Sequence, residues 1–175
     1  ANFTIIEPHQ THLGWLEDQT AVRLYADCVA AIADGAPVST MIVLAVKPQM
    51  MDDAIAGLGM MKHADCAYLS IAAGISTGWL KQRLGDNAIV IRAMPNTPAA
   101  IGLGMTALIA SDGVSAAQKQ DAGHLMQAVG EIIWLDSEKQ MDAVTAISGS
   151  GPAYVFYLAE TMIAAGISLG LSEQV

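Results

Sequence analysis

The sequence predicts an α/β protein: a Rossmann-like, doubly wound, mainly parallel sheet followed by the start of an all-helical segment. Three observations carry that prediction. Short runs rich in β-branched residues alternate with stretches of helical period as far as Asp136. One run, Met41–Val46, is apolar without alternation, the pattern of a strand buried on both faces, and Lys47-Pro48 ends it. After Asp136 the texture becomes helical and almost wholly apolar. The division this implies is residues 1–137 for the sheet domain and 138–175 for the helical one.

The elements follow in order. Phe3–Ile6 is a short strand closed by Glu7-Pro8, and Leu13–Leu24 reads as a helix with Leu13, Leu16 and Val22 inward. A short strand at Leu24–Tyr25 precedes a helix over Val29–Ala33, and Gly35-Ala-Pro37 turns the chain into the central strand, Met41 to Lys47. Met50–Met61 places Met51, Ile55, Leu58 and Met61 on one helical face, where the methionines fill a core. Tyr68–Ala72 and Ala88–Arg92 are strands flanking a helix at Thr77–Leu84. Thr106–Ala110 and Glu131–Leu135 are strands flanking a helix over Ser115–Val129, which Ser115 caps and Gly130 closes. Glu138–Ile147 is helical, Ser148-Gly-Ser-Gly-Pro152 interrupts it, and Pro152–Gly166 resumes as a helix apolar on every side. Leu171–Val175 reads as a further helix beginning, with Ser172 as its cap.

The composition narrows the function classes. Of the 175 residues 53% are hydrophobic and 14% charged, so the chain has apolar surface to hide. No apolar run approaches the ~20 residues that cross a bilayer, so a subunit interface is the better place for it. A net charge of −9 argues against nucleic acid or an anionic membrane as partner. Cys28 and Cys66 fall in no metal-type spacing and fit a reduced, cytoplasmic protein. His9, His12, His63 and His124 form no zinc-type pattern, so no metal is expected.

Candidate binding residues gather at predicted strand ends. In open α/β sheets ligands lie across the carboxyl ends of central strands, which singles out Ala45, Val46, Lys47 and Pro48 as the wall for a dinucleotide. Ala72 and Ala73 are small enough to admit a flat ring, or are simply a tight turn. Asn96, held between Pro95 and Pro98, offers a polar group to an amide or carboxylate. Glu7 stands where a carboxylate takes ribose hydroxyls, or is an ordinary solvated turn residue. Ser148, Gly149 and Ser150 either present helix N-terminal amides to an anion or form a kink where another helix packs closely. Gly102-Leu-Gly104-Met-Thr-Ala107 spells a phosphate loop but leads into a strand, so it is rejected as one.

Four of these segments, Leu44–Gln49, Ala72–Gly74, Arg92–Pro98 and Ala146–Tyr154, stand in an order and spacing that resembles the pyrroline-5-carboxylate reductases. The resemblance implies an NAD(P)-binding domain joined to a helical dimerisation domain, and reduction of 1-pyrroline-5-carboxylate to L-proline, the final step of proline biosynthesis. It implies NADPH or NADH as cofactor at Glu7, Ala45, Val46, Lys47, Pro48, Ala72, Ala73 and Asn96. Ser148, Gly149 and Ser150 would lie towards the substrate, and the C-terminal helices would hold a homodimer or larger homo-oligomer. The family's opening strand with its Gly-rich turn, and the later helices that carry its catalytic hydroxyl, have no counterpart here, so the catalytic residue is unknown. A carboxylate at Glu7 would repel a 2′-phosphate, which tilts the reading towards NADH. The alternatives are another dehydrogenase of this fold, of the β-hydroxy acid type, and a non-catalytic dimerising fragment.

Overall fold

The computed structural model describes residues 3–16, 18–37, 39–61 and 65–175. Strands β1 (Phe3–Ile6) and β2 (Val22–Tyr25) pair in parallel as a two-stranded sheet. Helix α1 (Cys28–Ala33) leads to β3 (Met41–Leu44), α2 (Met51–Gly57), β4 (Ala67–Ser70), α3 (Thr77–Leu84) and β5 (Ile89–Met94). Strand β6 (Gly104–Ala110), α4 (Ala116–Gln127) and β7 (Gly130–Trp134) complete the sheet domain, and α5 (Met141–Val144) and α6 (Gly151–Ser168) follow. The five-stranded sheet runs β3-β4-β5-β6-β7, parallel except where β6 opposes β5.

Successive strand residues point to opposite faces, and both faces are covered. Tyr68 and Val90 join Leu44, Met51, Ile55 and Leu80 in one core cluster under α2 and α3. Their neighbours Leu69 and Ile91 join Ala93, Leu108, Ala122 and Met126 in another under α4. Each such fully buried aliphatic side chain contributes ~1.5–3 kcal/mol, so the apolar runs predicted as strands are what hold the two helical layers on. A third cluster, Ala107, Ile109 and Met141, seats α5 on the far end of the sheet.

Several expectations need correction. Met41–Leu44 is the edge of the five-stranded sheet, not a central strand within it, and Val43 is 42% exposed. It ends at Leu44 rather than Lys47 because its partner β4 ends at Ser70. The bond from Ile71 N–H to Leu44 O is the last between them. The predicted helix over Leu13–Leu24 is instead a run of three-residue turns, with Leu16, Gln19 and Val22 N–H each donating to the carbonyl three residues back, followed by β2. Within that span Val22–Tyr25 is β-prone, and parallel pairing with β1 outweighs helical period; Glu17 and His63 lie outside the described residues.

Strand and helix do not alternate throughout. Between β5 and β6 only a short 3-10 turn, Thr97–Ile101, intervenes, because a prolyl loop this short cannot make a parallel crossover. The strand predicted for Tyr68–Ala72 ends at Ser70, and the helix predicted for Met50–Met61 is α2 flanked by 3-10 turns at Pro48–Met50 and Gly59–Met61. Gly130 does not merely close α4; at φ 142° it opens β7 opposite Gly104, whose backbone it touches too closely to admit a Cβ. That close approach is the use of the second glycine in the rejected G-x-G spelling.

The break at Ser148–Pro152 is a π-helical turn, Thr145–Gly149, that delivers the chain into α6. Helix α6 is not buried in the single chain: Tyr154, Phe156, Tyr157, Leu158, Met162 and Ile163 are all more than half exposed. The terminal residues make a turn, Val175 N–H to Ser172 O, in place of the helix start expected there.

Candidate functional site

The parallel register of β3, β4 and β5 sets their carboxyl ends side by side, and the predicted residues follow directly from them. Lys47 is extended (φ −60°, ψ 148°), as a residue before proline must be, and exposed; Pro48 then opens a 3-10 turn. Beside it Ser70 Oγ accepts from Ala72 N–H at 3.3 Å, Ala72 is buried, and Gly74 turns the chain at φ 76°. Ala45, Ala73 and Gly74 are exposed. The result is an open shelf of small side chains with one lysine at its rim, a surface that admits a planar ring and favours an anion.

Glu7 ends β1, its N–H bonded to Tyr25 O at 2.9 Å and its Oε1 accepting from His9 N–H at 2.8 Å. It lies just past the last residue of β1, where the chain leaves the strand. Ile6 beside it packs against the same cluster as Val46.

Asn96 does bring two predicted groups together. Its Oδ1 accepts from Met105 N–H at 2.9 Å, and its Nδ2 donates to Ser148 O at 3.3 Å. Next to it a Cβ on Gly149 would lie 2.7 Å from Met94 Cε, the free end of a flexible side chain, so the π turn packs against Met94 at the end of β5. The amides expected to face an anion are partly engaged already. Ser150 N–H donates to Thr145 O at 2.9 Å, and Ala153 and Tyr154 N–H both donate to Ser150 O.

Sequence reasoning missed an ion pair nearby. Arg92, 4% exposed on β5, donates from Nη1 to Glu138 Oε1 at 3.1 Å. Thr77 donates to the same carboxylate from its N–H at 2.8 Å and from Oγ1 at 2.5 Å. Burial pushes the Glu138 carboxyl up, but the Thr77 bonds and the Arg92 guanidinium outweigh it and hold it below its ordinary value. The signal was an arginine inside the apolar run Ile89–Met94, which must find a partner when the strand is buried. A hollow of about 270 Å³ adjoins this pair, lined by Thr77, Lys81, Ser111 and Glu138 among others. Among the described residues no group of three or more His, Cys, Asp or Glu is placed to hold a metal.

Known proteins match this arrangement. Residues 138–175 match the family model "Pyrroline-5-carboxylate reductase dimerisation". A pyrroline-5-carboxylate reductase of Pseudomonas aeruginosa is 46% identical over 148 residues, 85% of this chain and 54% of that one. The chain is a relative of the pyrroline-5-carboxylate reductases. Such a reductase from Coxiella burnetii superposes with a TM-score of 0.83 at 32% identity, over 98% of this chain and 62% of that one. The Plasmodium falciparum pyrroline carboxylate reductase, solved with NADP bound, superposes at 0.77 with 26% identity over 99% of this chain and 71% of its own. The chain spans about half the length of the curated pyrroline-5-carboxylate reductases it matches. The Rossmann-like sheet and the long C-terminal helix are those expected of this family.

Proposed function

We propose that this chain forms the cofactor-binding domain and first dimerisation helices of an enzyme that reduces 1-pyrroline-5-carboxylate to L-proline with NADPH or NADH. The observation that carries the reading is the 46% identity over 148 residues to a pyrroline-5-carboxylate reductase. The shelf is compatible with it. The dinucleotide lies across Ala45, Val46, Lys47 and Pro48, with its nicotinamide towards Ala72 and Ala73. Glu7 is placed for the adenosine ribose, Asn96 sits at the cleft, and Ser148, Gly149 and Ser150 approach the substrate side.

The reduced nicotinamide supplies a hydride to the imine carbon, and the ring nitrogen takes a proton. An imine carbon is already electrophilic, so the protein's contribution is to hold two rings in register and to neutralise a carboxylate. No residue of this chain is assigned as the proton donor. Glu7 disfavours a 2′-phosphate and so tilts the preference towards NADH. The sheet domain, residues 1–137, and the helical one, 138–175, are treated as separate units, with a homo-oligomer formed through the latter. Two buried free thiols suit the cytoplasm.

The test is loss of reduced-nicotinamide absorbance by the full-length enzyme supplied with 1-pyrroline-5-carboxylate, and separately with a keto acid. Oxidation driven by the imine is expected. Turnover of the keto acid alone would transfer the chain to a β-hydroxy acid dehydrogenase. No turnover by either would leave a dimerising module.

A further inference from the structure

Two backbone groups near the shelf lose their regular partners for unrelated reasons. The pairing of β5 with β6 ends at Met94 and Ala107, so Met105 N–H lies beyond the last residue of the neighbouring strand. Ser148 O would be answered in an α-helix by the N–H four residues on, but that residue is Pro152, which has none. The next candidate, Ala153 N–H, is taken by Ser150 O at 3.0 Å. Ser148 is partly buried, and polar backbone left unanswered there is costly.

We propose that Asn96 is a positioning residue whose single amide answers both orphans, and so fixes the angle at which the π turn and α6 leave the cofactor shelf. Met105 N–H requires an acceptor and Ser148 O requires a donor, which sets the amide orientation without ambiguity. One N–H of the side chain remains for a ligand on the shelf. Asn96 and Pro152 therefore form a matched pair: the proline creates the vacancy that the amide fills. The importance of this to catalysis rests on the reductase reading, but the contact itself does not, and the experiment addresses the contact.

The measurement is site-resolved amide hydrogen exchange on the full chain. Asn96→Asp keeps an acceptor for Met105 and loses the donor to Ser148. Protection at Ser150 and Ala153 should fall about tenfold, the order expected for one hydrogen bond, while Met105 is unchanged. Asn96→Ala should lower protection at all three. Adding Pro152→Ala to Asn96→Asp restores a backbone donor to Ser148 O and should recover most of the loss at Ser150 and Ala153. In the unaltered chain, the Asn96 side-chain amide protons should exchange more slowly than those of exposed Asn87, a readout that survives if a variant fails to fold. Equal side-chain exchange at the two asparagines, or unchanged protection at Ser150 and Ala153 in Asn96→Asp, or failure of Pro152→Ala to recover it, would overturn the proposal. Absence of imine reduction by the unaltered full-length enzyme, with this pattern intact, would count against the reductase reading alone.

Discussion

Glu138 caps a helix that begins 61 residues before it: its carboxylate accepts from both the N–H and the Oγ1 of Thr77, at the first residue of α3. The same carboxylate neutralises buried Arg92. One side chain therefore ties the start of the helical segment to a strand and a helix of the sheet domain. A carboxylate at a helix N-terminus also meets the favourable end of its dipole.

Removing that carboxylate should be expensive. Glu138→Ala leaves Arg92 buried without its partner and Thr77 without its acceptor, and should cost about 2–4 kcal/mol in urea unfolding. The pH dependence follows from the lowered carboxyl. A depressed folded value stabilises fully above the unfolded value, near 4.5, and that contribution is lost as pH falls through the folded value below it. Unfolding curves should show stability falling on acidification below about pH 4.5, the ordinary value of a glutamate carboxyl. The fall should be shallower in Glu138→Gln, and equal slopes in the two proteins would remove Glu138 from the account.

Gly130→Ala tests a close backbone approach between β6 and β7. The residue sits at φ 142°, a region unfavourable to side chains, and its Cβ would enter the backbone of Gly104. Loss of about 3 kcal/mol or more is expected from strain and displaced pairing of β6 with β7. Gly113→Ala is the comparison: it also has positive φ, at 90°, but open space around it, and should cost about 1 kcal/mol. Similar losses would mean that conformation alone, not crowding, governs the site.

How far the sequence could be read depended on the range of the interaction. Thr77–Leu84 matches its predicted bounds because its cap, Ser76, and its apolar period are local. Ser115 was legible for the same reason, through a capping box with Gln118. The reversal of β6 was not, since strand direction depends on what the Pro95–Gly104 loop can span and not on the composition of either strand. Leu13–Leu24 failed because pairing with β1 decides its last three residues, Val22 to Leu24. At the site, the residues of the shelf could be named from strand ends, but the bond from Asn96 to Ser148 joins positions 52 apart and has no sequence signature. Arg92 announced the need for an acid; its identity did not follow.

Lys47→Glu in the full-length enzyme addresses the shelf. The lysine is exposed, so its replacement should leave the urea midpoint nearly unchanged. If it faces the dinucleotide, charge reversal should raise the KM for the reduced cofactor about tenfold or more and leave the KM for the imine little affected. The effect should shrink as salt is added. An unaltered cofactor KM would make Lys47 an ordinary solvated charge.

Helix α6 carries the last prediction. Leu158 and Met162, one turn apart on the same face, are 60% and 67% exposed in the single chain, and residues 138–175 match a dimerisation family. A contiguous apolar face of this kind is stable in water only when covered. Leu158→Glu with Met162→Glu puts two charges where a partner helix would pack, and sedimentation should show a dimer or larger oligomer in the unaltered chain converted to monomer. Because Ala107, Ile109 and Met141 form their own cluster away from α6, the sheet domain should keep its urea midpoint within about 1 kcal/mol in the monomer. Retention of the oligomer in the double variant would place the interface on another surface of the chain.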